Sequence, residues 1–261
     1  SDIPPIFNGN YPSDDFYSTD SADIYSGGPQ LISGRIPVSS EEDAWAVIEK
    51  IRHYTLNPTP GVWRSKIALV ADDMHQSCYY KTSEGSHTLN SDIIYDSLKT
   101  FLSIQPFYGV RYGLQQTNSG CEYPDLTADL LRTIHNGVAL INYIGHGSPE
   151  SWADEKIITK TRDLPLIQAE NGKLAIWVAG TCSFGQFNGE NSFMEALLIK
   201  KNAAIAVIAA TNVIGYEKNS KYIENLFGLS NSYGIEDFIN GKIDDRLGEI
   251  VANAKNINDN Y

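Results

Sequence analysis

ALINYIGHGS (residues 139–148) and LAIWVAGTCSFGQF (174–187) decide how this chain is read. Each opens with a short apolar run and then switches abruptly to turn chemistry, Gly-His-Gly in the first and Gly-Thr-Cys in the second. Such a run stopped by glycine is a buried strand ending at a loop. His146 and Cys182 therefore leave strand ends, and their separation of 36 positions leaves room for a crossover between neighbouring parallel strands. A thiol attacks as thiolate, and an imidazole beside it lowers its pKa and can pass the proton on. The pair predicts Cys182 as nucleophile and His146 as general base and acid, with the amides of Gly147 and Cys182 as donors to a tetrahedral oxyanion. The glycines flanking His146 are expected to let the backbone approach a ligand closely.

Working outward, KIALVA (66–71) is a further buried strand, ending at Asp72 and Asp73, and AAIAVIAAT (203–211) is another. Between strands, Leu126, Leu130, Leu131 and Ile134 recur at helical spacing up to Gly137, and FMEALLIKK (193–201) is helical. Ser39 and Glu42 form a capping box ahead of Ala44, Val47, Ile48 and Ile51, a helix running through Tyr54. The spacing also predicts a short strand at 31–36, a helix at 91–103 with Ile94, Leu98 and Phe101 inward, a strand at 110–114, and helices at 219–228 and 243–256. Residues 1–34 otherwise read as coil. Strands alternating with helices specify an α/β fold with a mostly parallel sheet covered on both faces, and active groups belong beyond the carboxyl ends of its strands. His146, Cys182 and Asp73 all fall there.

With 261 residues, 42% of them hydrophobic, the chain has the material for one large α/β domain, taken as 1–261. A net charge of -12 with no basic stretch excludes general affinity for nucleic acid or anionic lipid. No apolar run is long enough to span a membrane. Three cysteines leave at least one free thiol, assigned to Cys182; pairing of Cys78 with Cys121 stays open. No cofactor is required. Asp14, Asp15, Asp20 and Asp23 offer oxygen ligands for a structural calcium ion, but without fixed spacing a solvated acidic surface is the better reading. Zinc is disfavoured because no second Cys/His pair completes a tetrahedral set.

LINYIGHGSPESW, AGTCSFGQF and SFMEALLIKKNAAIAVIAATN, with SGRIPVSSEEDAWAVIEKI, Trp63 and ALVADD upstream, resemble the gingipain family of cysteine peptidases. CSFGQF is also similar to the nucleophile loop of the type IX secretion sortase. The resemblance implies a caspase-like three-layer αβα sandwich and a bacterial endopeptidase acting on polypeptide, secreted or at the cell surface. It places the general base on His146, the nucleophile on Cys182, and the acid that orients the histidine on Asp73, with Asp72 the neighbouring alternative. It further implies that a propeptide or an upstream part of the subdomain precedes Ser1. Arginine-specific members carry an aspartate where His87 stands here, which argues against an arginine-only pocket, and a lid tryptophan where Tyr216 stands. Small residues around Thr211 and Asn212 suit a groove taking extended peptide by strand addition. The other readings are a sortase-like transpeptidase, a catalytically silent peptide-binding module, and a regulatory protease inside the cell.

Overall fold

The structure, a computed structural model, describes residues 12–18, 31–75, 86–118, 120–189, 192–230, 233–242 and 246–258. The strands are β1 (Lys66–Ala71), β2 (Ser103–Tyr108), β3 (Gln115–Thr117), β4 (Gly120–Glu122), β5 (Leu140–Ile144), β6 (Gly147–Ser148), β7 (Ser151–Trp152), β8 (Ile158–Thr159), β9 (Ala175–Gly180) and β10 (Ala204–Ala209). The helices are α1 (Asp15–Ser18), α2 (Glu41–Leu56), α3 (His87–Leu98), α4 (Pro124–Asn136), α5 (Lys160–Asp163), α6 (Phe193–Ile199), α7 (Tyr216–Leu226), α8 (Ile235–Ile239) and α9 (Leu247–Asn258).

Five strands form one parallel sheet in the order β10-β9-β5-β1-β2. Its central strands are apolar at every buried position except Asn142, because both faces are covered. Val70, Ile141, Tyr143, Trp177 and Ala179 point to one side, where α4 and α6 supply Leu126, Leu130, Phe193 and Leu197. Leu69, Leu140, Ile144 and Val178 point to the other, against Ile94 and Leu98 of α3, Ile223 and Leu226 of α7, and Ile250 of α9. Alternation of side chains along each strand thus builds two cores and three layers, the αβα sandwich expected. Among the described residues no helix is long and apolar enough to cross a membrane.

Several elements differ from the sequence reading. Residues 31–38 form no strand, and Leu31 and Ile36 are exposed. The cap of α2 is Ser40, whose hydroxyl accepts the Asp43 N–H at 3.1 Å, one residue beyond the expected box. Ile48 and Ile51 of that helix stay exposed. The third helix starts at His87, and Phe101 lies past its end and is exposed. In place of a strand at 110–114 the chain forms β2 at 103–108, a stretch that contains Pro106; β2 is an edge strand, where a missing N–H does no harm. Two small antiparallel units were not expected: the β3–β4 hairpin and the three-stranded β6-β7-β8 sheet after His146. Strands of two or three residues carry too little periodicity to read.

Candidate functional site

Register brings the candidate residues together. Ala71 pairs with Ile144, and Ile144 with Gly180, so β1, β5 and β9 end level. The alignment continues for one residue more, since the Asp72 N–H donates to Ile144 O at 3.0 Å and the Gly145 N–H to Gly180 O at 3.3 Å. His146 and Cys182 therefore stand each two residues past paired positions on adjacent strands. The loops are in contact: a Cβ on Gly147 would lie 2.5 Å from Thr181 Oγ1. A Cβ on Gly145 would strike the Tyr143 hydroxyl and lie 2.5 Å from Asp72 Cβ. Packing against Asp72, Tyr143 and Thr181 thus by itself requires glycine on both sides of His146.

Cys182 is a free, half-buried cysteine whose thiol donates to Ile214 O at 3.6 Å. Cys121 is disulfide-bonded, and Cys78 lies outside the described residues. Ser183 holds a φ of 55°, a left-handed turn costly for a residue with a side chain, which swings the chain away directly after the sulfur. The flanking amides are engaged, Thr181 N–H with Ala179 O at 2.9 Å and Ser183 N–H with Asn212 O at 3.0 Å. Between them the Cys182 N–H donates to no group among the described residues. Gly147, the other expected oxyanion donor, lies opposite Trp152 in the β6–β7 pairing.

Behind the two loops lie three carboxyl groups. Asp72, Asp73 and Glu155 are all buried, with oxygens within 4.8 Å of one another. Asp72 Oδ2 accepts the backbone N–H of His146 at 3.0 Å, and its Oδ1 accepts the Asp73 N–H at 2.9 Å. Asp73 accepts the His75 N–H at 2.6 Å and the Tyr123 hydroxyl at 2.6 Å. Both aspartates thus lie at the site, with Asp72 bonded to the histidine's peptide. Burial is the chief cause pushing Asp72 up to about 7, against the hydrogen bond from His146. Burial, then the charges of Asp72 and Asp73, pushes Glu155 to about 7 as well. Burial and the Asp73 carboxylate raise the Tyr123 phenol. These three acids are the group among the described residues with the spacing to hold a cation. Of the aspartates considered for calcium, Asp14 pairs with Arg35, nothing is described of the Asp15 side chain, and Asp20 and Asp23 lie outside the described residues.

His87, at the N-terminus of α3, is buried, with its ring edge-on to that of His146 (centroids 5.5 Å apart) and to that of Tyr216 (5.5 Å). The Tyr216 hydroxyl accepts the Ser86 N–H at 3.0 Å and the Asn90 side-chain amide at 2.9 Å, tying the starts of α3 and α7 together. Thr211 and Asn212 line a groove of about 1250 Å³ that follows the outer edge of β10, with Phe187, Met194 and Val251 among its apolar walls. It reaches Ile214, the acceptor of the Cys182 thiol. Glu155, Tyr123 and Tyr143 were missed in the sequence. Glu155 sits in a polar loop without periodicity, and the tyrosines read as core aromatics; the Tyr123 hydroxyl meets Asp73 beyond β1, and the Tyr143 hydroxyl meets the His146 carbonyl at the end of its own strand and Asp72 beyond β1, contacts that exist only once the strands are aligned.

The model of Peptidase family C25 matches residues 1–260 of the chain. Among solved structures, the Arg-specific cysteine proteinase gingipain R (RgpB) superposes with a TM-score of 0.72 at 20% identity, over 96% of this chain and 55% of the other. A complex of Porphyromonas gingivalis RgpB pro- and mature domains gives 0.65 at 20% identity, over 92% and 57%. A structure described only as a protease gives 0.57 at 18%, over 81% and 43%. The chain thus spans little more than half the length of the gingipain chains it matches, and the likeness establishes the caspase-like fold. No curated protein matches it.

Proposed function

The chain belongs to peptidase family C25, and from that premise we propose that it carries the catalytic centre of a cysteine endopeptidase. The observation that supports this most is the level ending of β1, β5 and β9, by which His146 and the free Cys182 each follow a paired position by two residues on adjacent strands, with buried carboxyls at the same end of the sheet. Cys182 Sγ attacks the peptide carbonyl while His146 takes its proton and returns it to the leaving amine; water then resolves the thioester, with His146 as base. The Cys182 N–H is the donor assigned to the oxyanion, with Gly147 N–H as its partner. Asp73 is assigned the orienting role through the charge it brings to the cluster behind the histidine. His87 and Tyr216 border the substrate position beside His146, and Thr211 and Asn212 lie where an extended chain would pass.

The fold of secreted proteases in this family fits a protein acting outside the cell, and the RgpB pro-domain complex fits control by a propeptide. Labelling tests the reading. A peptidyl chloromethyl ketone should alkylate Cys182, Cys182→Ala should abolish the adduct, and His146→Ala should slow it severely. An unlabelled, unreactive Cys182 would leave only a silent binding module.

A further inference from the structure

Asp72 and Tyr143 take no part in the bond-breaking steps, yet both address His146, and by its backbone. Asp72 Oδ2 accepts the His146 N–H at 3.0 Å. The Tyr143 hydroxyl donates to the His146 carbonyl at 2.5 Å and approaches Asp72 Oδ2 at 3.4 Å. The same carbonyl accepts the Ala153 N–H at 2.8 Å. Asp72 is itself fixed by its N–H on Ile144 O at 3.0 Å, and Tyr143 by stacking on Trp152 with ring centroids 4.5 Å apart. Both side chains are buried, with 1% and 0% exposure, so neither bond is shared with bulk water. The clamp closes only because residue 145 is glycine, whose missing Cβ leaves the space that the Tyr143 hydroxyl and Asp72 Cβ need.

A residue held at both its N–H and its carbonyl has the direction of its Cα–Cβ bond fixed, and with it the arc the imidazole can sweep. We infer that Asp72 and Tyr143 are positioning residues that set the approach of the His146 ring to Cys182 by gripping its backbone. The inference rests on the peptidase reading of His146 and Cys182. It differs from a strand-end cap in what it predicts: a cap affects stability alone, whereas a positioning pair also sets how much thiolate the imidazole sustains. Asp73 and Glu155 behind the loop, and His87 and Tyr216 beside the ring, keep their identities when these two positions are changed.

The test is the pH dependence of Cys182 alkylation by iodoacetamide, resolved by peptide mass mapping, in the full chain, with a thermal melt of each variant. His146→Ala should move the alkylation profile of wild type to higher pH, toward that of an unassisted thiol. Folded Asp72→Ala and Tyr143→Phe should each move the profile toward that of His146→Ala; a profile displaced upward by about one pH unit lowers the rate at pH 5.5 about tenfold. Tyr143→Phe keeps the stacked ring, so it decides the matter if Asp72→Ala does not fold. A folded Tyr143→Phe or Asp72→Ala with the wild-type profile overturns the inference. Identical profiles for wild type and His146→Ala overturn the peptidase reading, and this inference with it.

Discussion

Replacing Asp72 by Asn should flatten the dependence of stability on pH between 5 and 8. Burial raises the Asp72 carboxyl from 3.8 to about 7 in the folded chain. A carboxyl raised on folding favours the folded state fully below its unfolded pKa, and that stabilisation is lost as pH climbs through the folded value. The rise corresponds to about 4 kcal/mol in total, at about 1.4 kcal/mol for each tenfold change in the acidity constant. Roughly 1.6 kcal/mol of this is gone by pH 5, leaving about 2–3 kcal/mol to be lost between pH 5 and pH 8. For a domain of this size that is a fall in melting temperature of about 5–10 °C. Wild type in a chelating buffer should show this loss, and Asp72→Asn, which cannot ionise, should lack most of it. Hydrogen bonds that Asn makes badly are equally bad at both pH values and drop out of the difference. Glu155, raised from 4.5 to about 7 partly by Asp72 itself, should respond in the same direction in Glu155→Gln, with the two effects less than additive. The refuting result is a melting temperature for Asp72→Asn that falls between pH 5 and pH 8 as far as wild type does.

Gly147→Ala should cripple activity and cost about 1–3 kcal/mol, because its Cβ meets Thr181 Oγ1 at 2.5 Å and parts the two loops; adding Thr181→Ala should restore much of both, measured by melting and by Cys182 alkylation rate. A peptide-library cleavage profile should show no sharp requirement for Arg before the cut, since an imidazole at His87 offers no carboxylate to a guanidinium; strict Arg preference would contradict that. Supplying a nucleophilic amine with a cleavable peptide should yield hydrolysed product predominantly, and a dominant ligated product seen by mass spectrometry would favour the transpeptidase instead.

The sheet was legible because KIALVA, ALINYI, LAIWVA and AIAVIA are apolar runs with hard stops, and a parallel sheet buried on both faces demands such runs. His146 and Cys182 were legible for the same reason: a strand end in this architecture is a site position, and imidazole with thiol is a recognisable pair. What lies behind them was not. Asp72 and Asp73 both follow β1, and nothing in the sequence says which reaches the histidine's peptide; that depends on register with β5. Glu155 enters through the β6-β7-β8 turn, whose two-residue strands give no pattern. His87 reached the site because α3 begins there, four residues before the start at 91 that the sequence pattern predicts and seven before Ile94, the first residue of its apolar face.

Unfavourable features gather at one end of this fold. Of the four non-glycine residues with positive φ among those described, Ala153, Lys156 and Ser183 lie in the loops beyond the carboxyl ends of the sheet, and only Asn171 lies elsewhere. The same end holds the three buried carboxyls and the glycines at positions 145 and 147, where any Cβ would collide. Strain and burial of acids oppose folding, and they persist where the surrounding structure over-determines the geometry. Here that surrounding is two apolar cores meeting on five parallel strands. A chain needing only to fold would relieve these conflicts by small changes, such as Asp72 to a neutral residue. Their gathering at the strand ends that carry a free thiol and an imidazole fits the catalytic centre proposed for this chain.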